Sequence, residues 1–329
     1  MRLIHFSFLG KGDGMEWERR IYGDLYLPDT GVPLRAVIQF VHGMDEHFGR
    51  YREFAEFLCA RGVALCGEDH RGHGRSTVCS SAGNPIFGSF SANENGWNLV
   101  LSDLWKLRRA LKRHFPNVPY LLLGHSMGSF LVRSMLAAKE LPGWEMLADG
   151  MILSGTAYHE AAVLEAGRAL VKRFIQKKGR EAPFSLAVNS SAFLYNLRIH
   201  NPKTPIDWVA ADPKTVQKHL DDPFCGHTPT AGLFDDMLGG LMAVCAGTLV
   251  RRIPVPMPTL FIAGKCDPVG DFGAGVRKTA ALFRVCGCPS VTVKLYPDAR
   301  HEVLLETCRQ TVYEDVDAWI CDAVLKKQF

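Results

Sequence analysis

Apolar residues along this chain alternate between short unbroken runs and helical spacing. Residues 2–9 and 19–27 read as an opening pair of strands, joined by the turn-rich Gly10-Lys11-Gly12-Asp13-Gly14. The nearly continuous run at 36–41 (Ala-Val-Ile-Gln-Phe-Val) suits a strand buried on both faces of a parallel sheet. Tyr51, Phe54, Phe57 and Leu58 then repeat at helical spacing, and residues 63–67 read as another strand. Trp97, Val100, Leu101, Leu104, Leu107, Leu111 and Phe115 mark a long amphipathic helix with Lys106, Arg109, Lys112 and Arg113 on its wet side, ended by Pro116. Tyr120 to Gly124 predicts a strand, Ser126 to Lys139 a helix, and 150–154 a strand. Two later strands, 258–263 and 291–296, flank a helix near 274–285, and a last helix carries Val312, Val316, Trp319 and Ile320.

Such alternation implies an α/β fold: a mostly parallel central sheet with helices on both faces. The stretch from about 159 to 252 breaks the rhythm, with helix-like pieces and no buried strand. It reads as an inserted, mainly helical cap (lid) over the carboxyl edge of the sheet, so that 1–158 and 253–329 form one core domain.

Composition narrows the picture. Hydrophobic residues make up 47% of the 329 and charged residues 22%, ordinary globular usage. The net charge of +4 is too small a bias, and too evenly mixed, to argue for nucleic acid. The ten cysteines are sparse for a disulfide scaffold, and several sit in apolar runs, so a reduced, cytoplasmic setting is the simpler expectation. Cys286-Gly-Cys288 lacks a second ligand pair at zinc spacing. No signal peptide is legible, and no run approaches the ~18 apolar residues of a membrane span.

Chemistry enters at Gly124-His125-Ser126-Met127-Gly128. This fits G-x-S-x-G in the context that gives the pattern meaning, a strand leading in and a helix leading out. The serine of such an elbow stands on a strained turn above the sheet, over a helix N-terminus. Phe40-Val41-His42-Gly43-Met44 follows a strand, and the backbone amides of Met44 and Met127 are the candidate oxyanion donors. A hydroxyl needs a general base. His301, past the last strand, is the candidate base, and Asp267, just past the strand before it, is the candidate orienting acid. Asp271 and Asp298 are rivals in the same loops. His42, His70, His73 and His125 read as structural or pocket-lining. No metal and no cofactor are implied.

These segments resemble the monoacylglycerol lipase and lysophospholipase group of α/β-hydrolases. The matching pieces are His42-Gly43-Met44-Asp45-Glu46-His47 with Arg50-Tyr51, the run from Asp69-His70-Arg71-Gly72 through His73-Gly74-Arg75-Ser76, the Ser126 elbow, Gly264 to Val269, and Arg300-His301-Glu302 with Glu306. They span about 36 to 306. The resemblance implies Ser126, Asp267 and His301 as a triad, Met44 and Met127 as oxyanion donors, and a structural role for Asp69 and His73. Cys266 departs from the pattern and places a thiol beside the acid. Asp207-Trp208, Asp212-Pro213 and Asp222-Pro223-Phe224-Cys225-Gly226 look like a subset of bacterial lysophospholipases.

The expected substrate is a long-chain acyl ester, a monoacylglycerol or a lysophospholipid. Large apolar residues of the cap, Phe174, Phe184, Trp208 and Leu238 among them, supply both its own core and an acyl slot, where each buried CH₂ is worth ~0.8 kcal/mol. The mixed stretch Arg168 to Arg180 reads first as a solvated helix face and second as a contact with an anionic membrane or micelle surface. Thioester, small-ester or peptide cleavage on the same triad is the alternative within enzymes. A non-catalytic binding protein on this scaffold is the alternative outside them.

Overall fold

Every residue of the runs at Ala36–Val41 (β3), Val63–Glu68 (β4), Tyr120–His125 (β7), Gly150–Ser154 (β8) and Thr259–Gly264 (β9) is buried. These are strands covered on both faces, as unbroken apolar runs predict. With the opening hairpin Arg2–Leu9 (β1) and Arg20–Leu27 (β2), and Val291–Tyr296 (β10) at the far edge, they form an eight-stranded sheet in the order β1-β2-β4-β3-β7-β8-β9-β10. β1, β2 and β4 pair antiparallel, and from β4 to β10 all pairs are parallel. Val78–Cys79 (β5) and Pro85–Ile86 (β6) make a separate small hairpin. The computed structural model describes residues 1–12, 19–79, 85–93, 95–137, 148–244, 257–288 and 290–328.

The helices are Arg52–Cys59 (α1), Gly96–His114 (α2), Met127–Ala137 (α3), Ala161–Lys178 (α4), Ser185–Asn196 (α5), Pro213–Asp221 (α6), Ala231–Val244 (α7), Ala274–Val285 (α8) and Arg309–Trp319 (α9). Period-two alternation along the strands sorts the core into two layers. Val37, Val41 and Leu122 join Leu104 of α2, Leu131 of α3 and Phe283 of α8 on one face. Ile38, Phe40, Leu121 and Leu123 join Phe54 and Leu58 of α1 and Val312 and Val316 of α9 on the other. Tyr51, expected in the first helix, instead closes a 3₁₀ turn, Phe48–Tyr51, just before α1.

Between β8 and β9 the described residues hold α4 to α7 and no strand, with one isolated bridge between Pro183 and Thr230. α7 packs on α3 and α2, and α4 packs on α7. The expected boundary at 252/253, the end of the helix at Lys139, the turn residues Asp13 and Gly14, and Cys245 lie outside the described residues. No described helix is long and apolar enough to cross a membrane.

Candidate active site

The turn from β7 into α3 holds Ser126 at φ 53°, in the left-handed region that a non-glycine residue enters only when its surroundings force it. The surroundings do so. A Cβ on Gly128 would sit 1.9 Å from the Val41 carbonyl oxygen, and one on Gly124 would sit 2.4 Å from the Gly128 oxygen. Both glycines let β3, β7 and α3 close together beneath the serine. Ser129 donates its hydroxyl to the Ser126 carbonyl at 2.6 Å and holds the turn from the helix side.

The loops after β9 and β10 meet at this point. Asp267 and His301 are buried, and His301 Nδ1 lies 3.0 Å from Asp267 Oδ2. His301 Nε2 lies 2.8 Å from Ser126 Oγ. A carboxylate can only accept, so Nδ1 carries the proton toward Asp267 and leaves Nε2 to accept from the Ser126 hydroxyl. The Val269 amide donates to Asp267 Oδ1 at 2.9 Å and fixes the carboxylate plane. Burial works against a charged imidazole, but the Asp267 charge and hydrogen bond outweigh it and raise the His301 pKa.

On the other side of Ser126 the loop after β3 turns sharply, with Asp45 at φ 60°. The Gly43 amide is held by Glu46 Oε1, and a Cβ on Gly43 would come within 3.2 Å of Ser126 Cβ. Met44 follows directly. Among the described residues neither the Met44 nor the Met127 amide has a protein acceptor, so both are available to an oxyanion. His42 braces this loop: its Nδ1–H donates to the Gly43 carbonyl at 2.7 Å, and its Nε2 accepts the His70 amide at 2.9 Å.

A buried charge network ties the two sides together. Arg50 donates to both oxygens of Glu302, at 2.6 and 2.8 Å, and to Glu46 Oε2 at 2.9 Å. Tyr51 adds its hydroxyl to Glu46 Oε2 at 2.7 Å. Burial disfavours charge on both acids, yet the bidentate Arg50 holds Glu302 ionised, at about 2. For Glu46 burial wins over Arg50, the Glu302 charge adds to it, and its carboxyl is pushed up. The loop that carries Met44 is thus fastened to the residue beside His301.

The Hydrolase_4 family model, described as serine aminopeptidase, S33, matches residues 32–308. The chain belongs to this family of α/β-hydrolases. It is 28% identical over 305 residues to a monoacylglycerol lipase of Mycolicibacterium smegmatis, covering 92% of each chain. It is 36% identical to the monoglyceride lipase of Rattus norvegicus, over 90% of this chain and 85% of that one. A carboxyl esterase from Bacillus coagulans has a similar structure, with a TM-score of 0.84 at 28% identity and 99% of each chain covered. The protein is therefore a serine hydrolase of the esterase and lipase family.

In this hydrolase the rival acids stand aside. Asp271 and Asp298 are exposed, and His301 Nδ1 is paired with Asp267. His42, His70, His73 and His125 are buried, and burial foremost lowers their pKa values, to about 3 for His70, 4 for His73 and 3 for His125. Asp69 accepts the amides of Phe48 at 3.0 Å and Arg75 at 3.1 Å, holding the loop after β4. Cys266 is half-buried, with its thiol 3.7 Å from the Pro297 carbonyl.

Sequence reasoning missed three features. The Trp208 ring lies tilted with its centroid 5.3 Å from that of His301, and the Tyr195 ring of α5 lies 4.9 Å from Trp208. Arg300 donates to the carbonyls of Asp207 and Ala210, at 2.5 and 3.0 Å, and Glu306 accepts from the Arg300 and Ala211 amides. The residues flanking His301 therefore pin segment 207–211 over the site. The third is the Glu46–Arg50–Glu302 network. The Arg300-His301-Glu302…Glu306 spacing was on the page, but its partners lie 90 and more residues away.

Proposed function

We propose that this serine hydrolase cleaves long-chain acyl esters, monoacylglycerols or lysophospholipids, through an acyl-enzyme on Ser126. His301 Nε2 takes the Ser126 proton as Oγ attacks the ester carbonyl, and Asp267 stabilises the imidazolium that forms. The Met44 and Met127 amides receive the developing oxyanion. Collapse expels the alcohol, protonated by His301. Water, activated by the same imidazole, then releases the fatty acid. The observation that carries this reading is the line Asp267–His301–Ser126, with contacts of 3.0 and 2.8 Å.

The lipid preference rests on what surrounds the line. Residues 159–252 are read as the lid. Met44 packs both into the main core and against the small cluster of Val171, Phe184, Ala231 and Phe234, so apolar surface from the helical insertion meets the loop residue whose amide is a candidate oxyanion donor. Leu186, Phe193, Leu194 and Leu197 on and just beyond α5, with Val163 and Leu170 on α4, are more than half exposed. Such a face suits contact with a lipid or micelle surface. Two relatives, named monoacylglycerol lipase and monoglyceride lipase, support the monoacylglycerol half of this reading.

The test is hydrolysis of a panel of monoacylglycerols, lysophospholipids, short aryl esters, thioesters and peptides by wild type and Ser126→Ala. The proposal expects long-chain esters to be preferred and Ser126→Ala to lose roughly 10⁴-fold or more in kcat. Undiminished turnover in the variant would end the mechanism. A preference for peptides or short esters would end the substrate assignment alone.

A further inference from the structure

Beside the loop that carries Met44, three side chains unused by this chemistry converge: His47, Asp222 and Cys225. One ligand atom from each lies within 4.8 Å of the others. His47 comes from the loop after β3, and the other two from the segment after α6. We propose that they form a binding site for a soft divalent cation, with zinc(II) the ion that fits.

The donor set selects the ion. One imidazole, one carboxylate and one thiol match zinc, whereas magnesium and calcium take all-oxygen cages. Tetrahedral zinc holds its ligands about 2.0–2.3 Å away. Fitting that geometry widens the 2.9 Å His47–Asp222 pair slightly, with side-chain adjustments on the order of an ångström, and solvent fills the fourth position.

The ligands are oriented in advance. The Phe224 amide donates to Asp222 Oδ1 at 2.9 Å and leaves Oδ2 facing His47 Nε2, also at 2.9 Å. The Cys225 thiol is 6% exposed, disulfide-free and, among the described residues, without a hydrogen-bond partner. The His47 and Asp222 side chains are 16% and 22% exposed, so an ion has a way in. Asp45 accepts the amides of Gly226 and His227, at 2.9 and 2.8 Å, so the two segments are in register before any metal arrives.

Binding replaces the His47–Asp222 hydrogen bond with bonds to the metal: the His47 Nε2 proton moves through solvent to Nδ1, freeing the Nε2 lone pair, and the Cys225 proton is released to solvent. The metal fastens segment 222–225 to His47, three positions past Met44. If the loop must shift when substrate enters, zinc inhibits; this consequence, unlike the binding itself, rests on the hydrolase reading.

The full-length protein is titrated with cobalt(II), whose thiolate charge-transfer and tetrahedral d–d bands report the ligand set. One equivalent is expected to develop both bands, zinc to bleach them, and Cys225→Ser to abolish the thiolate band while Cys266→Ser keeps it. Asp222→Asn is the second variant, expected to weaken cobalt binding at least tenfold with the fold intact by circular dichroism. No thiolate band in wild type, or one that survives Cys225→Ser, overturns the site. Zinc inhibition of ester hydrolysis is read separately. A cobalt site without inhibition overturns only the coupling, and an inactive protein that still gives the cobalt spectrum overturns only the hydrolase reading.

Discussion

α3 and α5 are similar in length and both rich in apolar residues, yet they meet opposite environments. From Met127 to Leu136 every residue of α3 is buried, whereas none of the described side chains of α5 is. α3 starts at the strained serine and is locked beneath it by backbone contacts that tolerate no side chain at Gly128. α5 shows Phe193 and Leu194 to solvent at 65% and 59% exposure while Tyr195 turns inward to Trp208. A residue of α3 is held by its own fold, whereas most of α5 leaves its apolar area open to solvent. The serine thus sits where packing leaves one geometry, and the lipid contact proposed above would use the apolar area that packing leaves open.

The strongest break in this comparison comes at Asp267. Asp267→Asn keeps an acceptor for the Val269 amide but no longer holds the reactive tautomer of His301. kcat is expected to fall on the order of 10⁴-fold with little change in melting temperature. The proton equilibrium supplies a second readout. His301 must be neutral to act as base, and Asp267 raises its pKa, so the rise of kcat/KM with pH should move to lower pH in the variant. A kcat within tenfold of wild type would mean that the 3.0 Å contact has no part in turnover.

Arg50→Met comes next. It leaves Glu46 and Glu302 buried without their counter-charge, a loss of about 3–5 kcal/mol. The pH window follows from Glu302. Its folded pKa, about 2, lies below the ordinary 4.5, so Arg50 stabilises the fold above pH 4.5, and that gain fades as pH falls toward 2. The gap in melting temperature between wild type and variant should therefore be wide at pH 7 and narrow in acid. Equal gaps at both would show that packing, not charge, holds the two loops together.

Legibility in the sequence followed the same division. Ala36–Val41, Ala274–Val285 and Val291–Tyr296 appear at the expected residues because local pattern and burial agree there. The elbow was legible because its glycines answer contacts close at hand. The stretch from Arg168 to Arg180 was misread in part. Arg168 and Arg180, expected on a solvated face, pair with Asp235 of α7 at 2.8 and 3.1 Å, while Lys172, Arg173, Lys177 and Lys178 are exposed as expected. Helical periodicity shows which residues share a face; it carries no information about an acid some 60 positions away. Arg50 and Glu302, 252 residues apart, escaped for the same reason.

A smaller effect belongs to Asp45, which joins the loop after β3 to the segment after α6. Burial foremost raises its carboxyl to about 7, against the pull of the His227 and Gly226 amides. A raised carboxyl binds its proton more tightly in the folded state. Its contribution is therefore full below about pH 4 and is lost as pH rises through about 7. Asp45→Asn keeps the acceptor and removes the titration. Its melting temperature should decline less than that of wild type between pH 5 and 8, and parallel declines would move the pH sensitivity elsewhere.

The smallest change in stability, and the most direct contrast, comes from paired surface and core substitutions. Phe193→Ser with Leu194→Ser on α5 is expected to alter stability by no more than about 0.5 kcal/mol per site, because neither side chain is buried. Leu131→Ser on α3 empties a fully buried position, leaves a hydroxyl there and costs several kcal/mol. Activity should invert the ranking of α5. The double variant is expected to hydrolyse a dissolved short-chain ester at the wild-type rate and to lose several-fold on the same acyl group presented in micelles or vesicles. Equal loss on both substrates would place α5 in the catalytic framework with α3, and no loss on either would leave its exposed apolar residues without a role in reaching lipid.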